Sequence, residues 1–297
     1  MSKIIDITTK KVSLIVLAGD LSKFSSAYAS GSAPVVEEFI RRFYILCHYV
    51  ISAGSGRLVK FTGDGFFAVW PFSDDFRRNA KVCQMVERLA ITLSDFVNLA
   101  RLDLKMNNEV FLKQGIAIEP NALHISYERY SGATENDYIG KMINCAFRIM
   151  SLPDSYPYIA AHKEFIEVMN MYVPRNSFNS YKKLEVDEDT INHVFKGVRD
   201  EADQNYAFNI LDPGRVRELA QSLQDKDLSV YEAEIRKMVA SSYENLKSHP
   251  NSLFLKFFTE FHKICKTGPE WLRVSYMFNW ALLHRLGEMK TELQANK

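Results

Sequence analysis

Two aspartates of this chain stand where carboxylates could act together on a charged substrate. Asp20 directly follows the apolar run VSLIVLAG at residues 12–19, and Asp64 lies in the glycine-flanked turn of KFTGDGFFAVW at residues 60–70. Mg²⁺ is usually held in proteins by one or two carboxylates together with phosphate oxygens. The two residues therefore either share divalent cations beside a phosphate, or Asp20 caps a loop and Asp64 satisfies its turn.

The residues that follow Asp20 form the segment LSKFS, from Leu21 to Ser25. This segment is small and polar enough for consecutive backbone N–H groups to face a phosphate chain. A two-cation site beside it can activate an attacking oxygen and hold the leaving one.

A further pair of polar residues occurs in DYIGKMINCAFR, at residues 137–148. Asn144 and Arg148 are four residues apart, so a helix places them on one face beside its apolar stripe. They are either a solvated surface pair, or they orient a ribose and neutralise charge that develops on a phosphoryl group.

Alternating strands and helices would position these residues. The run at residues 12–19 is typical of a buried strand, and RLVKFT and FFAVW on either side of GDG predict a hairpin. Helical periodicity follows the Gly/Ser-rich loop SSAYASGSAP and recurs at about residues 75–102. EVFLKQGIAIEP and ALHISYERY then predict two strands with a short connection.

The downstream half continues this alternation. YIGKMINCAFRIMSL predicts a helix, YPYIAA a short strand, and another helix is expected near residue 164. HVFKGV and NYAFNIL predict a closing pair of strands. The pattern indicates an α+β or α/β sandwich over residues 1–212, and the chain after the break at Pro213 and Gly214 predicts a helical C-terminal region over residues 213–297.

The composition excludes several classes of protein. A formal charge of +1 gives no basic excess that would indicate nucleic acid as a partner. The four cysteines have no paired spacing, which argues against a disulfide framework or a zinc cluster and favours a reducing cytosol. No apolar run reaches the length of about 18 residues that a membrane helix needs, so we expect a cytoplasmic protein with no membrane segment before its first strand.

Five segments occur in the order and approximate spacing seen in class III nucleotidyl cyclase catalytic domains. They are VLAGDLSKFS, KFTGDGFFAV, GIAIEP, DYIGKMINCAFR and FKGV. The resemblance covers roughly residues 10–212. It implies an α+β domain of the cyclase palm type, which is a ferredoxin-like βαββαβ core with additional strands and helices.

The resemblance also implies roles for individual positions. The metal-binding positions would be Asp20, Leu21 and Asp64, and the loop around the triphosphate would be Leu21, Ser22, Lys23, Phe24 and Ser25. Asn144 would position the ribose, Arg148 would stabilise the transition state, and Lys60 with Asp137 would read the base edge. Lys196 or Arg199, near FKGV, would contact phosphates.

The implied reaction is attack of the ribose 3′ oxygen on the α-phosphorus of a nucleoside triphosphate, with pyrophosphate as the leaving group. Two divalent cations, Mn²⁺ or Mg²⁺, would be the cofactors. In this family one catalytic domain supplies the aspartates and a second supplies the base-reading and transition-state residues. Since this chain carries both sets, the resemblance implies a homodimer with two equivalent sites and a nearly inactive monomer.

Lys60 and Asp137 bear on the choice of base. The pair resembles that of adenylate cyclases, whereas guanylate cyclases usually have Glu and Cys there. A lysine donates to a ring nitrogen and an aspartate accepts from an exocyclic amino group. Adenine and cytosine both offer that order, and guanine and uracil reverse it. The pair disfavours GTP and, less strongly, UTP, and leaves ATP and CTP open.

The architecture favours a pyrimidine substrate. The chain shows no attached sensor domain, the loop after its first strand departs from the family wording DIxGFT, and its C-terminal region is predicted to be helical. These features resemble the stand-alone pyrimidine cyclases of bacterial anti-phage (Pycsar) systems, which make cyclic CMP or cyclic UMP and thereby activate an effector protein. UTP stays open, because such enzymes need not read the base through Lys60 and Asp137.

Two other functions compete with this interpretation. TGDGF echoes the hairpin of diguanylate cyclases, but the acidic residue expected after the aspartate is missing, and DYIGKMINCAFR has no counterpart there. A catalytically inactive cyclase-like dimerisation module is the alternative from another class. The presence of Asp20, Asp64, Asn144 and Arg148 argues against it.

Overall fold

The computed structural model describes residues 4–106, 110–129, 132–153, 159–171 and 181–208. These residues belong to two compact units. The first contains the described residues of Met1–Phe24, Gly56–Ala90 and Phe111–Ile210, and the second contains those of Ser25–Ser55 and Ile91–Val110. The predicted domain boundary at residue 212 and the predicted C-terminal helices lie outside the described residues.

The described elements alternate between strands and helices. In chain order they are β1 (Ile4–Ser22), α1 (Phe24–Ser30), α2 (Ala33–Ala53), β2 (Arg57–Phe61), β3 (Gly65–Pro71), α3 (Phe76–Asp103), β4 (Phe111–Arg129), β5 (Thr134–Ile139), α4 (Lys141–Met150), β6 (Ile159–His162), α5 (Lys163–Asn170), β7 (Tyr181–Lys183), α6 (Glu188–Val194), a 3₁₀ helix (Arg199–Gln204) and β8 (Asn205–Phe208).

The strands form one sheet in the order β2–β3–β1–β4–β6–β8–β7, and β5 pairs with β4 outside this path. β1 lies between β3 and β4 and is antiparallel to both. The order β2–β3–β1–β4, with helices between β1 and β2 and between β3 and β4, is that of a ferredoxin-like βαββαβ core. The predicted α+β fold with additional strands and helices is confirmed.

β1 and β3 form the centre of the sheet because their residues are apolar on both faces. Residues 14–18 of β1 are at most 5% exposed, and Phe66, Phe67 and Trp70 of β3 are at most 1% exposed. Burial on both faces is what a continuous apolar run predicts for a strand. The first strand is longer than predicted, since β1 begins at Ile4 and pairs with β4 along nearly its whole length.

The prediction of two strands across residues 109–130 is wrong, because β4 is a single strand that passes through Pro120. A bulge makes this possible: Pro120 and Asn121 of β4 oppose the single residue Ser13 of β1. The Ser13 hydroxyl donates a hydrogen bond to the Pro120 carbonyl at 2.7 Å. A bulge accommodates a residue that lacks an N–H without ending the ladder.

The two faces of β4 receive different helices. The Gln114 side chain donates to the Ala90 carbonyl of α3 at 2.7 Å. A Cβ at Gly115 would overlap the Ala146 carbonyl of α4, so the glycine lets α4 lie close to the sheet. Successive residues of a strand point to opposite faces. α3, at Ala90, and α4 therefore lie on opposite faces of the sheet.

Two predicted boundaries near the site are wrong. Most of the predicted loop SSAYASGSAP is helical, because α1 extends to Ser30 and buries Ala27. Tyr138 and Ile139 belong to β5, and the helix begins after Gly140. Tyr138 and Ile139 are of strand-forming types and pair with His124 and Leu123 of β4.

HVFKGV is not a strand, contrary to prediction. It covers the end of α6 and the turn that follows, in which Gly197 has φ +88°. The Asp187 carboxylate starts α6 by accepting the Thr190 N–H at 2.8 Å. β8 pairs instead with β7 and β6.

None of the helices in the described part of the chain is long and apolar enough to span a membrane.

Candidate active site

Asp20 and Asp64 lie together at one end of the central strands. Asp20 pairs with Gly65, the first residue of β3, and Asp64 immediately precedes it. The Leu21 N–H donates to the Asp64 carbonyl at 3.1 Å, which ties the two segments together. Gly63 has φ +82°, a conformation that favours glycine in the turn between β2 and β3.

The two carboxylates repel each other in a half-buried environment. Burial raises the pKa of the Asp20 carboxyl, the charge of Asp64 raises it further, and the charge of Lys113 opposes both. Neither aspartate side chain has a hydrogen-bond or ion-pair partner among the described residues. A Cβ at Gly65 would lie 3.0 Å from Asp20 Oδ1, so a larger residue would crowd this carboxylate.

Lys113 is the residue that the sequence reasoning missed. It lies directly opposite Asp20 in the pairing of β4 with β1, and its side chain is buried, at 7% exposure. Its Nζ contacts the Leu152 carbonyl and lies 5.9 Å from the centre of the Phe111 ring. The only sequence signal was a lysine within the predicted strand FLKQGIAIEP, which is apolar at most of its other positions.

The segment predicted to surround the triphosphate divides between a strand and a helix. Leu21 and Ser22 end β1, Lys23 has φ 61°, and α1 begins at Phe24. The N–H of Leu21 is already donated to Asp64. Ser25 belongs to the second unit, and the role of the whole segment stays a prediction.

Lys60 and Asp137 are in contact, although they are far apart in the chain. Lys60 Nζ lies 2.9 Å from both carboxylate oxygens of Asp137, and both side chains are partly exposed. The Tyr138 N–H also donates to Asp137 Oδ1, at 2.9 Å. The lysine of β2 and the carboxylate of β5 thus form one polar surface with a donor and an acceptor.

Asn144 and Arg148 are exposed on one face of α4, and their neighbours Ile143, Cys145 and Ile149 are buried. Within the described residues neither side chain has a hydrogen-bond or ion-pair partner. Both are therefore available to a ligand or to another chain.

The predicted phosphate contacts near FKGV are also exposed. Lys196 lies in the turn after α6, and no described hydrogen bond or ion pair joins it to the other predicted residues. Arg199 Nη2 lies 3.8 Å from Glu188 Oε1 at the start of the 3₁₀ helix.

Comparison with solved structures identifies the fold. No family model matches the chain, and neither does any curated protein. The adenylyl cyclase CyaB from P. aeruginosa matches with a TM-score of 0.54 and 14% identity, over 69% of this chain and 97% of its own length. The fold is that of a nucleotidyl cyclase domain.

A bacterial light-regulated adenylyl cyclase has the same fold. It matches with a TM-score of 0.51 and 16% identity, over 72% of this chain. This chain spans only 58% of the length of that enzyme.

Within this cyclase fold, the predicted residues and Lys113 form separate groups. Asp20, Asp64 and Lys113 form the first, which we call the carboxylate end. Lys60 with Asp137 forms the second, and the exposed face of α4 forms the third. No hydrogen bond or ion pair between described residues joins Asn144 or Arg148 to the carboxylate end.

Proposed function

We propose that this protein is a nucleotidyl cyclase that converts a nucleoside triphosphate into a 3′,5′-cyclic nucleotide and pyrophosphate. The observation that carries the proposal is the pair Asp20 and Asp64 at adjacent strand ends of a cyclase fold, beside the buried Lys113. The exposed Asn144 and Arg148 side chains on α4, which have no hydrogen-bond or ion-pair partner among the described residues, support it further.

The carboxylate end fits divalent cations. Two carboxylates that repel each other and lack partners among the described residues are stabilised by a bound cation. No group of three or more His, Cys, Asp or Glu side chains with metal-binding geometry occurs among the described residues. Asp20, Asp64 and the Leu21 carbonyl would hold Mg²⁺ or Mn²⁺ together with phosphate oxygens of the substrate, since Mg²⁺ needs few carboxylates when phosphates supply the other ligands. When bound, the cations supply Lewis acidity that favours an ionised 3′ oxygen and neutralises the triphosphate.

The reaction forms a bond between the 3′ oxygen and the α-phosphorus and breaks the bond from the α-phosphorus to the bridging oxygen. The 3′ hydroxyl loses its proton to solvent, and pyrophosphate leaves with the bridging oxygen. Asn144 would hold the ribose, and the Arg148 guanidinium would neutralise charge on the phosphoryl oxygens. Lys196 or Arg199 would contact the phosphates and counter the charge of the triphosphate.

A homodimer would bring the groups together. No hydrogen bond or ion pair between described residues joins Asn144 or Arg148 to Asp20 or Asp64 of the same chain, and a second copy would bring the exposed face of its α4 to the carboxylate end of the first. The second copy could bind to a face of β1, β4 and β5 that carries exposed apolar side chains. On this face Ile7 and Ile139 are each 57% exposed and Leu123 is 38% exposed. Asp137 lies on this same face, because it pairs with Ile125, two residues from Leu123.

We propose a pyrimidine triphosphate as the substrate. The contact between Lys60 and Asp137 presents a donor and an acceptor, which suits cytosine, and the loop after β1 departs from the sequence DIxGFT that is usual in the family. ATP is the second candidate, because adenine offers the same order of acceptor and donor to this pair.

Purified protein incubated with each of the four triphosphates and Mn²⁺ tests the proposal. We expect a cyclic product from CTP or UTP, identified by mass, with release of pyrophosphate. Conversion of ATP alone would establish the second candidate. Conversion of GTP alone would contradict the role of Lys60 and Asp137, and no conversion of any triphosphate would favour an inactive dimerisation module.

The same proposal includes a role in anti-phage defence. The cyclic nucleotide would activate an effector that contains a cyclic-nucleotide-binding domain. A neighbouring gene for such a domain, fused to membrane or hydrolase segments, would support this role.

A further inference from the structure

α4 begins without a side-chain cap of its own. Its N-cap residue is Gly140, and no side-chain hydrogen bond caps the helix from that position. The first four N–H groups of an α-helix have no partners within the helix. Met142 and Ile143 are buried, so water does not readily replace the missing partners.

Glu119 of β4 supplies a partner from across the fold. Its Oε2 accepts the Met142 N–H at 2.8 Å, and its Oε1 accepts the Asn121 N–H at 2.9 Å. The Glu119 side chain is buried, with 4% exposure. A Cβ at position 140 would overlap this carboxylate, so Gly140 makes room for it. A negative charge at a helix N-terminus is favoured by the helix dipole.

Lys113 contacts the other end of the same helix. Its Nζ donates to the carbonyl of Leu152, two residues after the last residue of α4. A cation is favoured near the carbonyls at a helix C-terminus. Lys113 and Glu119 therefore match the two poles of α4 in charge.

The spacing of these two residues also matches the helix. They are six positions apart on β4, which corresponds to roughly 20 Å along a strand. The eleven positions from Lys141 to Leu152 extend about 16.5 Å at the helical rise. Between them Gly115 lets α4 lie close to the strand, on the face that both charged side chains share.

We propose that Glu119 and Lys113 are positioning residues that anchor the two ends of α4. Their contacts with the helix would fix the position at which Asn144 and Arg148 contact the nucleotide. The inference rests on the proposed cyclase function. Lys113 also lies opposite Asp20, so a shift of α4 in one chain would also disturb the strand beside the aspartates of that chain, while its Asn144 and Arg148 serve the site of the partner.

The test uses Glu119→Ala and Gly140→Ala in the full chain. The first removes the acceptor of the Met142 N–H, and the second displaces that acceptor by steric overlap. Hydrogen exchange of the α4 amides is measured without nucleotide, and kcat and KM are measured with Mn²⁺ and the triphosphate that the wild-type protein converts fastest. Glu119→Gln, which keeps the shape and one acceptor oxygen, is the conservative variant.

We expect the first-turn amides of α4 to exchange roughly tenfold faster in both alanine variants, as the loss of one hydrogen bond predicts. We expect kcat to fall about 10- to 100-fold with little change in KM, because a small misplacement of a reacting group has effects of this size. Glu119→Gln should recover part of the lost kcat. In an Arg148→Lys background the Glu119→Ala substitution should lower kcat much less, since the two residues act on one step.

Asp75→Ala is the matched control, because the Asp75 carboxylate accepts the Arg78 N–H at 3.1 Å at the start of α3, a helix without site residues. It should leave both kcat and the hydrogen exchange of the α4 amides unchanged.

If hydrogen exchange of the α4 amides were unchanged in Glu119→Ala, the proposal that Glu119 anchors the start of α4 would be wrong. Faster exchange with normal kcat, or full additivity with Arg148→Lys, would overturn the positioning role alone. If the wild-type protein converted no triphosphate, the proposed function and the catalytic part of this inference would both be wrong. The exchange data would still show whether Glu119 anchors α4.

Discussion

The carboxylate end and the exposed face of α4 differ in how their functional side chains are held. At the carboxylate end, Asp20 is half-buried, joined by backbone pairing to the segment that carries Asp64, and opposed by Lys113. On α4, Asn144 and Arg148 extend into solvent from a helix whose other face is buried. The first group is assembled within one chain, and the second lacks a partner in the described part of it.

This difference indicates what each region contributes. A pair of close carboxylates carries a cost in the free energy of folding, which a bound cation would relieve. Asn144 and Arg148 carry no such cost. Their positions depend instead on the contacts that anchor α4 to β4. The two regions should therefore respond differently to substitution.

Complementation should give the largest effect. Asp64→Ala and Arg148→Ala should each lower kcat by at least about 10²-fold, because each removes a charge that stabilises the transition state. Mixing the two folded variants in equal amounts should restore about a quarter of wild-type activity, since half of the dimers then contain one intact site of two. Activity of each variant and of the mixture is measured at the same total concentration.

A mixture of Asp64→Ala with Asp20→Asn is the control for that prediction, because both substitutions affect the carboxylate end. It should restore no activity. Rescue in the control, or its absence in the first mixture with both variants folded and dimeric, would contradict the division of the site between two chains.

A substitution at the carboxylate end should separate stability from activity. Asp20→Asn removes a half-buried charge beside Asp64 and should raise the Tm of the metal-free protein, while activity is lost. Since the pKa of the Asp20 carboxyl is raised in the folded state, the ionised form is the destabilising one, and this gain should be present at neutral pH and vanish in acid. The Tm of both proteins is measured with and without Mn²⁺. Mn²⁺ should raise the Tm of the wild-type protein and leave that of Asp20→Asn unchanged. The exposed Asp189→Asn is the control, and an equal gain there would refute the explanation.

Removing the charge of Glu201, which contacts the first residue of α4, should give the smallest effect, a small change in Tm. Glu201 accepts from Lys141, the first residue of α4, and contacts His162 Nε2, both at 2.8 Å. Burial acts to raise the pKa of Glu201, but these two partners lower it overall. A carboxyl with a lowered folded-state pKa stabilises the fold above its unfolded pKa, and this contribution is lost as the pH falls through the folded pKa.

Glu201→Gln should therefore have a slightly lower Tm than the wild-type protein at pH 7. The difference should shrink as the pH is lowered below about 4.5, where the unfolded carboxyl becomes protonated. Thermal unfolding at a series of pH values measures it. A difference that does not depend on pH would mean that the side chain acts through packing and not through charge.

Much of the fold was predictable because its strands are apolar runs bounded by turns. The strand before Asp20, the hairpin around Asp64 and the helix with Asn144 and Arg148 were all found in this way. The continuous β4 was not, because Pro120 reads as a strand end unless the bulge opposite Ser13 is known. The helix α6 was missed for a related reason, since HVF has the composition of a strand and its Asp187 cap lies outside that stretch.

The sequence by itself determined the ionisable and amide groups of the proposed reaction and the period of the elements that carry them. Only the tertiary structure decided that Lys113 lies opposite Asp20, that Lys60 meets Asp137, and that Glu119 caps α4. Periodicity specifies which residues share a face of one element. Register and packing between elements depend on contacts far apart in the chain, such as the 23 positions from Glu119 to Met142, and no local pattern encodes them.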